Sequence, residues 1–331
     1  MSQVQVASRK RPGVSAVVVS YFTGPLLARA LASLQNQPEI IEIFLIDNGN
    51  WPGAVDDAVS VAAGAAPITA PITVVTGHGN IGFSAGCNLG AERAAGDYLL
   101  FMNPDAVMPS GGVAALMDAG EDLERPFILG PKLVGPNGLE QQGSRRATLT
   151  PWRAFVEITG LYKVAPRHPY FRRFNLHADP CPGRVCPVPT LSGACFFLPK
   201  DDYALIGGMD ERYFLHVEDV DFCLRFANAG GTAYFAPDVS VTHFKSSSRV
   251  NPLNVERRKT TSMLRYFRTH FSREYPAPFL WLVSLAVWAA FAAKAAERSI
   301  MATLRLLGLS GRDGDARRRR VREFAARRSA R

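Results

Sequence analysis

The chain is poor in the features that would assign it to several common classes. Its five cysteines, Cys87, Cys181, Cys186, Cys195 and Cys223, are odd in number and too scattered for a disulfide framework, and they form no paired CxxC pattern for zinc. Reduced thiols in a cytoplasmic protein are the expectation. Cys181 and Cys186 flank Pro182 and Gly183, a spacing that suits a loop more simply than a pair of ligands. No apolar run stands behind the basic residues of the opening MSQVQVASRKRPG, so a secretory signal is not expected there. With 47% hydrophobic residues among 331, the chain is too apolar for disorder and long enough for a substantial core.

Positive charge is scarce until late in the chain. The net charge is +9, but from Arg249 onward there are 19 Lys and Arg against 6 Asp and Glu, a balance of +13 that leaves −4 for residues 1–248. A basic appendage on a nearly neutral body suits an anionic surface, either nucleic acid or the inner face of a membrane.

The body alternates short apolar runs with helical patterns. VSAVVVS from Val14 is followed by LLARALASLQNQ, IIEIFLI by an Ala-rich stretch to about Ala66, and ITVVT by SAGCNLGAERAAG and then YLLFM. Continuous apolar strands separated by helices predict an α/β domain with a mostly parallel sheet covered on both faces. Ligands of such sheets bind beyond the carboxyl ends of the strands, which singles out Tyr21, Asp47 and Asn103 to Asp105.

From about Gly130 to Pro189 periodicity is weak, and loops and short elements over the sheet are expected. TLSGACFFL, the helix-like DDYALIG, a helix from about Glu218 stopped by Gly230-Gly231, and two strands, TAYFA and VSVTHF, follow. After Ser248 the pattern is helical and basic, and then apolar from Ala277 to Ala293 with Ser284 as the interruption. Seventeen residues are at the lower limit for a span, so a membrane span, an interfacial helix and a packed core helix are all open readings. Arg298 and Arg305 beside the following apolar face favour lying in the interface. Arg317 to Arg320, with Arg327 and Arg328, suit anionic lipid headgroups. Phe324 is the one aromatic near these arginines, too few for the base stacking of single-strand binders, so a nucleic-acid partner is not expected.

Three segments carry candidate chemistry. Asn103-Pro104-Asp105 follows the strand YLLFM, where a carboxylate can coordinate Mg²⁺ or Mn²⁺; Asn-Pro-Asp is also a good turn. Glu218-Asp219-Val220-Asp221 opens a helix. Acidic residues there complement the macrodipole and Asp221 can pair with Arg225, roles that leave Asp219 available as an oriented base. NIGFSAGCNLG, residues 80–90, brings Gly82, Gly86 and Gly90 into a helix, for close approach to a ligand or for helix-to-sheet packing.

Together these segments resemble one known family. VVVSY, LIDNGN, NIGFSAGCNLG, FMNPDA in place of the usual DxD, and SGACFFLPKDDYALIGGMDERYFLHVEDVDFCLRFANAGG with PDVSVTHF are similar to the inverting family 2 glycosyltransferases, especially their rhamnosyltransferase-like branch, over about residues 14–248. The resemblance implies a Rossmann-like nucleotide-sugar domain of the GT-A type. It implies that Tyr21 and Asp47 line the nucleoside pocket, with Asp47 accepting the base's imide N–H, and that Asn80, Gly82, Asn88 and Asn103 bind the nucleotide sugar with them. Asp105 would hold a divalent metal, His243 would be a further metal ligand or diphosphate contact, and Asp219 would be the general base of a single inverting displacement. Asn103 offers a carbonyl oxygen without charge, which points to a weaker or a more Mn²⁺-like site. Trp152, Cys195 and His216 are read as packing or pocket-wall residues.

The expected organisation is a flexible segment 1–12, a catalytic domain 13–248, a helical extension 249–310 with a membrane-associated apolar stretch 277–293, and a polybasic tail 311–331. The expected reaction moves L-rhamnose from dTDP-rhamnose to a lipid-linked glycan or lipopolysaccharide-type acceptor at the cytoplasmic membrane face. A UDP-hexose or UDP-N-acetylhexosamine donor is the alternative, because uracil and thymine present the same N–H to Asp47.

Overall fold

The protein, in a computed structural model, is described for residues 12–65, 70–165, 168–245 and 250–306, with backbone alone at 302 and 304–306. The first half alternates as the apolar runs predict: β1 (Val14–Ser20), α1 (Leu26–Gln35), β2 (Ile40–Asp47), α2 (Ala54–Ala65), β3 (Ile72–Val75), α3 (Phe83–Arg93) and β4 (Tyr98–Met102). Then come β5 (Ala106–Val107), α4 (Gly112–Glu121), β6 (Phe127–Val134), β7 (Arg145–Arg146) and α5 (Pro151–Thr159), with short 3-10 turns at Leu161–Lys163 and Pro169–Phe171. The last third holds β8 (Cys186–Pro187), β9 (Thr190–Leu191), β10 (Cys195–Pro199), α6 (Lys200–Leu205), α7 (Glu218–Asn228), β11 (Thr232–His243), α8 (Pro252–Phe271) and α9 (Ala277–Leu306).

Among the described residues the main sheet has nine strands, ordered β3-β2-β1-β4-β10-β6-β11-β5 with β8 on β11, and β7 pairs with β9 beside it. β10 is inserted antiparallel between β4 and β6, so β1, β2, β3, β4, β6 and β11 all turn their carboxyl ends to one edge. Every residue of β1 is buried. Alternation sends Val14, Ala16 and Val18 to a core with Leu27 and Leu31 of α1 and Leu116 of α4, and sends Val17 and Val19 to a second core with Cys87 of α3 and Phe222 of α7. Helix α3 lies close on the sheet because Gly86 has no side chain; a Cβ there would stand 2.9 Å from Val19 Cγ1.

The weakly periodic middle is less loop-like than expected. It contains most of β6, an interior strand whose apolar run is interrupted by Gly130 and Pro131. TAYFA and VSVTHF, expected as two strands, are one: β11 shifts register between Ala236 and Ser240, opposite Pro131 and Lys132. Proline cannot donate to the ladder, and the bulged strand absorbs the gap.

A third core crosses the expected boundary at residue 248. Leu149, Tyr213, Val217 and Val220 pack with Leu264, Tyr266, Phe267 and Phe271 of α8 and Val283 and Val287 of α9. The stretch Ala277–Met301 of α9 is long and apolar enough to cross a membrane. Its most apolar window is 11% buried, with Val283 and Val287 as its contribution to the third core. Residues 1–11, Arg305's side chain and the polybasic tail lie outside the described residues.

Candidate active site

The carboxyl edge gathers the strand-end residues. Asp47 Oδ1 accepts from Gly49 N at 3.0 Å, Asn50 N at 2.9 Å and Asn50 Nδ2 at 2.7 Å, closing a tight turn. Asn50 also donates to Ser20 O at the end of β1, which locks the β1 and β2 ends together. Among the described residues these bonds all fall on Oδ1, and Oδ2 is left to meet a ligand. Tyr21 packs edge-on against Phe22 at 4.6 Å, and Phe22 lies 4.7 Å from Trp51, whose exposed ring stands at the rim beside Asp47.

The glycine-rich segment is mainly a joint. Gly82 (φ +91°) donates to Asn80 Oδ1 and accepts from Asn48 Nδ2, and a Cβ on it would stand 2.7 Å from Phe214 O. Its missing side chain lets the loop before α7 close down on α3. Asn88 departs from the ligand role expected of it. Its Nδ2 donates to Met209 O and Glu211 Oε1, and its Oδ1 accepts from Tyr203 Oη and Met209 N, so all four of its hydrogen-bonding positions are spent inside the chain.

Strand register brings Asp105 and His243 together from 138 residues apart in sequence: β5 begins directly after Asp105 and pairs Ala106 with His243, the last residue of β11. Both are buried, and His243 Nε2 is 3.2 Å from Asp105 Oδ1. Asn103 Nδ2 is 3.4 Å from the same Nε2. Gln141 fixes the ring. Its amide nitrogen donates to the His243 carbonyl, so its Oε1 is the atom 3.1 Å from Nδ1 and takes the proton there. Nε2 thus faces a carboxylate oxygen, a contact that either a second ring proton or a shared cation would make attractive. No cluster of three or more His, Cys, Asp or Glu suited to a metal occurs among the described residues. Asp105 and His243 could hold an Mg²⁺ or Mn²⁺ ion only with further ligands from outside this pair.

Asp219 stands at the start of α7, after two residues held in the left-handed region, His216 (φ 67°) and Val217 (φ 72°). For β-branched Val217 that backbone is strained. Asp219 Oδ2 receives Arg146 Nη2 at 2.5 Å and Gly193 N at 3.0 Å, while Oδ1 receives Val220 N at 2.8 Å. Burial would raise this carboxyl, but the guanidinium and these donors outweigh it and hold it below the usual carboxylate range. Each carboxylate oxygen has two lone pairs. Among the described residues both on Oδ2 are taken, and one on Oδ1 is left. Glu218 has the opposite fate: it is buried with Oε2 unpartnered among the described residues, and burial together with the Asp219 charge pushes it up. Asp221 pairs with Arg225 at 2.6 Å, as its spacing predicts, and also with His270 of α8 at 2.7 Å. Burial lowers His216, with Lys259 adding to the effect.

One loop joins the two centres. Ala194 O accepts from Asn103 N at 2.9 Å, and the neighbouring Gly193 N donates to Asp219. The sequence reading missed Gln141, Arg146 and Gly193, all outside its motifs except the glycine, which lies unremarked in SGACFFL. A strand-end carboxylate that needs an orienting base and a helix-start carboxylate that needs a cation were the available signals, but neither specifies which distant residue answers.

Comparisons with known proteins place the chain by family and by fold. Residues 15–176 match the model described as Glycosyl transferase family 2. The chain is 30% identical over 244 residues to the N-acetylglucosaminyl-diphospho-decaprenol L-rhamnosyltransferase of Mycobacterium tuberculosis, covering 70% of this chain and 76% of that one. It is 22% identical over 149 residues to the rhamnosyltransferase WbbL of Escherichia coli, covering 45% and 52%. Among solved structures it is similar in fold to GalNAc-T7 with UDP, GalNAc and Mn²⁺ (TM-score 0.56, 14% identity, 80% of this chain and about half, 49%, of that one). It is also similar to the Pyrobaculum calidifontis mannosyltransferase PcManGT with GDP-Man and Mn²⁺ (TM-score 0.52, 17% identity, 91% and 81%).

Proposed function

The chain belongs to glycosyltransferase family 2, in its rhamnosyltransferase-like branch, and from that premise we propose that it transfers L-rhamnose from dTDP-rhamnose, with inversion, to a hydroxyl of a lipid-linked glycan at the cytoplasmic face of the membrane. The observation that carries the mechanism is the single open lone pair of Asp219 Oδ1, on a carboxylate fixed by Arg146 and Gly193.

Asp47 Oδ2 accepts the imide N–H of the base, and Tyr21 and Trp51 wall the nucleoside. Asp105 and His243 would hold the divalent metal, whose chemistry is charge neutralisation of the donor diphosphate. Asp219 Oδ1 accepts the proton of the acceptor hydroxyl as its oxygen bonds to the sugar C1, and the C1–O bond to dTDP breaks on the opposite face. Arg146 keeps Asp219 ionised and aimed, and Asn88 and Gly82 hold the loops that shape the cleft. The M. tuberculosis relative's named acceptor, a sugar on a diphospho-decaprenol, supports a lipid-linked acceptor here.

The test is a donor panel with the purified full chain, reading release of nucleoside diphosphate and the anomeric configuration of the product. The expected result is turnover of dTDP-rhamnose with Mn²⁺ or Mg²⁺ and an inverted product. Preference for UDP-glucose or UDP-N-acetylglucosamine would replace the donor assignment, and a retained anomeric configuration would overturn the single displacement.

A further inference from the structure

The transfer reaction leaves the α8–α9 hairpin unexplained. The two helices are antiparallel: Phe271, Tyr275 and Phe279 stack around the turn, and Lys294 reaches back to Glu256 at 3.0 Å. Helix α8 therefore lies beside the apolar run of α9, and α8 carries Arg257, Arg258, Lys259, Arg265 and Arg268. A spanning α9 would take these cations into hydrocarbon, where charged side chains are strongly disfavoured.

Away from its packed side, α9 exposes Trp281, Leu282, Leu285 and Trp288, a stripe at helical spacing, with Trp281 68% exposed. On the flank of that stripe a cleft of about 450 Å³ is lined by Thr261, Leu264, Arg265, Arg268, Thr269 and Trp288. Arg265 and Arg268 point the same way at i,i+3, and neither has a carboxylate partner among the described residues. Two guanidinium forks and the Thr269 hydroxyl beside an indole match a phosphate ester whose apolar part continues along the stripe, the Thr261 hydroxyl being spent on the Arg257 and Arg258 carbonyls.

We propose that the hairpin docks in the plane of an anionic bilayer and that the Arg265–Arg268–Trp288 cleft takes the phosphate of an anionic lipid, one whose headgroup carries no cation of its own. This rests on the reading of a membrane-borne acceptor and adds the place of contact. The other side of α8 ties that contact to the catalytic helix, since His270 holds Asp221 of α7.

The test uses the full chain with sedimented vesicles of phosphatidylcholine alone or with about one third phosphatidylglycerol. Arg265→Gln with Arg268→Gln is expected to weaken partition to the anionic vesicles by about 10- to 30-fold, following the contribution of each basic residue near such a surface. Partition to neutral vesicles is expected to stay as in wild type. Arg93→Gln with Arg184→Gln, two exposed arginines outside the hairpin, removes the same charge and is expected to cost under about 3-fold. An alkaline carbonate wash should release the wild-type chain. Wild-type binding by the hairpin variant, equal loss in the control, or retention through the wash would overturn the proposal. Transfer to a water-soluble acceptor analogue is measured on the same samples, so a failure of docking with transfer intact is distinct from a failure of the reaction.

Discussion

The donor edge and the segment between residues 135 and 193 contribute to one site by different physical means. At the donor edge, short contacts fix the geometry: Asp47 closes its own turn within three residues, and Asp105 is set by the strand pair that starts beside it. In the middle segment, Gln141 reaches His243 across 102 residues and Arg146 reaches Asp219 across 73. The first region supplies carboxylates at the strand ends; the second aims His243 and Asp219 and, through Arg146, holds the Asp219 carboxyl down. Family motifs mark the first kind of residue, and the second kind is visible only once the chain is folded.

Breaking the middle segment at Arg146 should therefore damage chemistry without touching the donor edge. The largest effect is expected for Arg146→Gln. Losing the guanidinium releases Asp219 from its fixed position, and misplacement of that order lowers kcat/KM on the order of 10²-fold. Because the guanidinium holds the Asp219 carboxyl down, its loss moves the acidic limb of the pH–rate profile to higher pH. A full pH profile, with circular dichroism to confirm folding, checks both. An unmoved acidic limb would mean that Arg146 does not set the basicity of Asp219.

Gln141→Leu should act on the metal instead. With the Nδ1 partner gone, His243 is free to rotate, and loss of such an orienting contact weakens metal affinity by about 10- to 100-fold. Titration of Mn²⁺ against donor binding measures it, and the Asp219 limb of the pH profile should stay in place.

The smallest effect is a gain. Glu218 is an acid whose folded pKa is raised, so it contributes no cost below the unfolded value of about 4.3 and a growing cost as pH rises through the neutral range. Glu218→Gln should raise Tm by about 2–4 °C at pH 8, for a gain of about 1 kcal/mol, and by less at pH 5. Thermal melts at the two pH values decide it, and a larger gain at pH 5 would reverse the sign.

The legibility of the chain follows the same division. The runs VSAVVVS, YLLFM and, from Ile43, IIEIFLI are buried on both faces and read directly as strands, and the helix starting at Glu218 was announced by its acidic first turn and its glycine stop. β6 was hidden because Gly130 and Pro131 break its apolar run, a local weakness that only pairing with the bulged β11 explains. Asp219 was expected to be free for catalysis because its neighbours had structural duties. It is itself tied down, by Arg146, Gly193 and Val220, as Asp221 is by Arg225 and His270. Asn88 looked like a ligand residue by its place in a motif, but its place is earned by four internal bonds that hold the loop at Met209.

The central claim is that Asp219 Oδ1 takes the acceptor proton while the donor is held elsewhere. Asp219→Asn keeps the shape of the side chain, so transfer from dTDP-rhamnose and the dissociation constant for dTDP should be measured side by side on wild type and this variant. The account predicts that kcat falls by about 10²- to 10⁴-fold with dTDP binding within about 2-fold of wild type. Transfer at the wild-type rate, or loss of dTDP binding in step with activity, would contradict it.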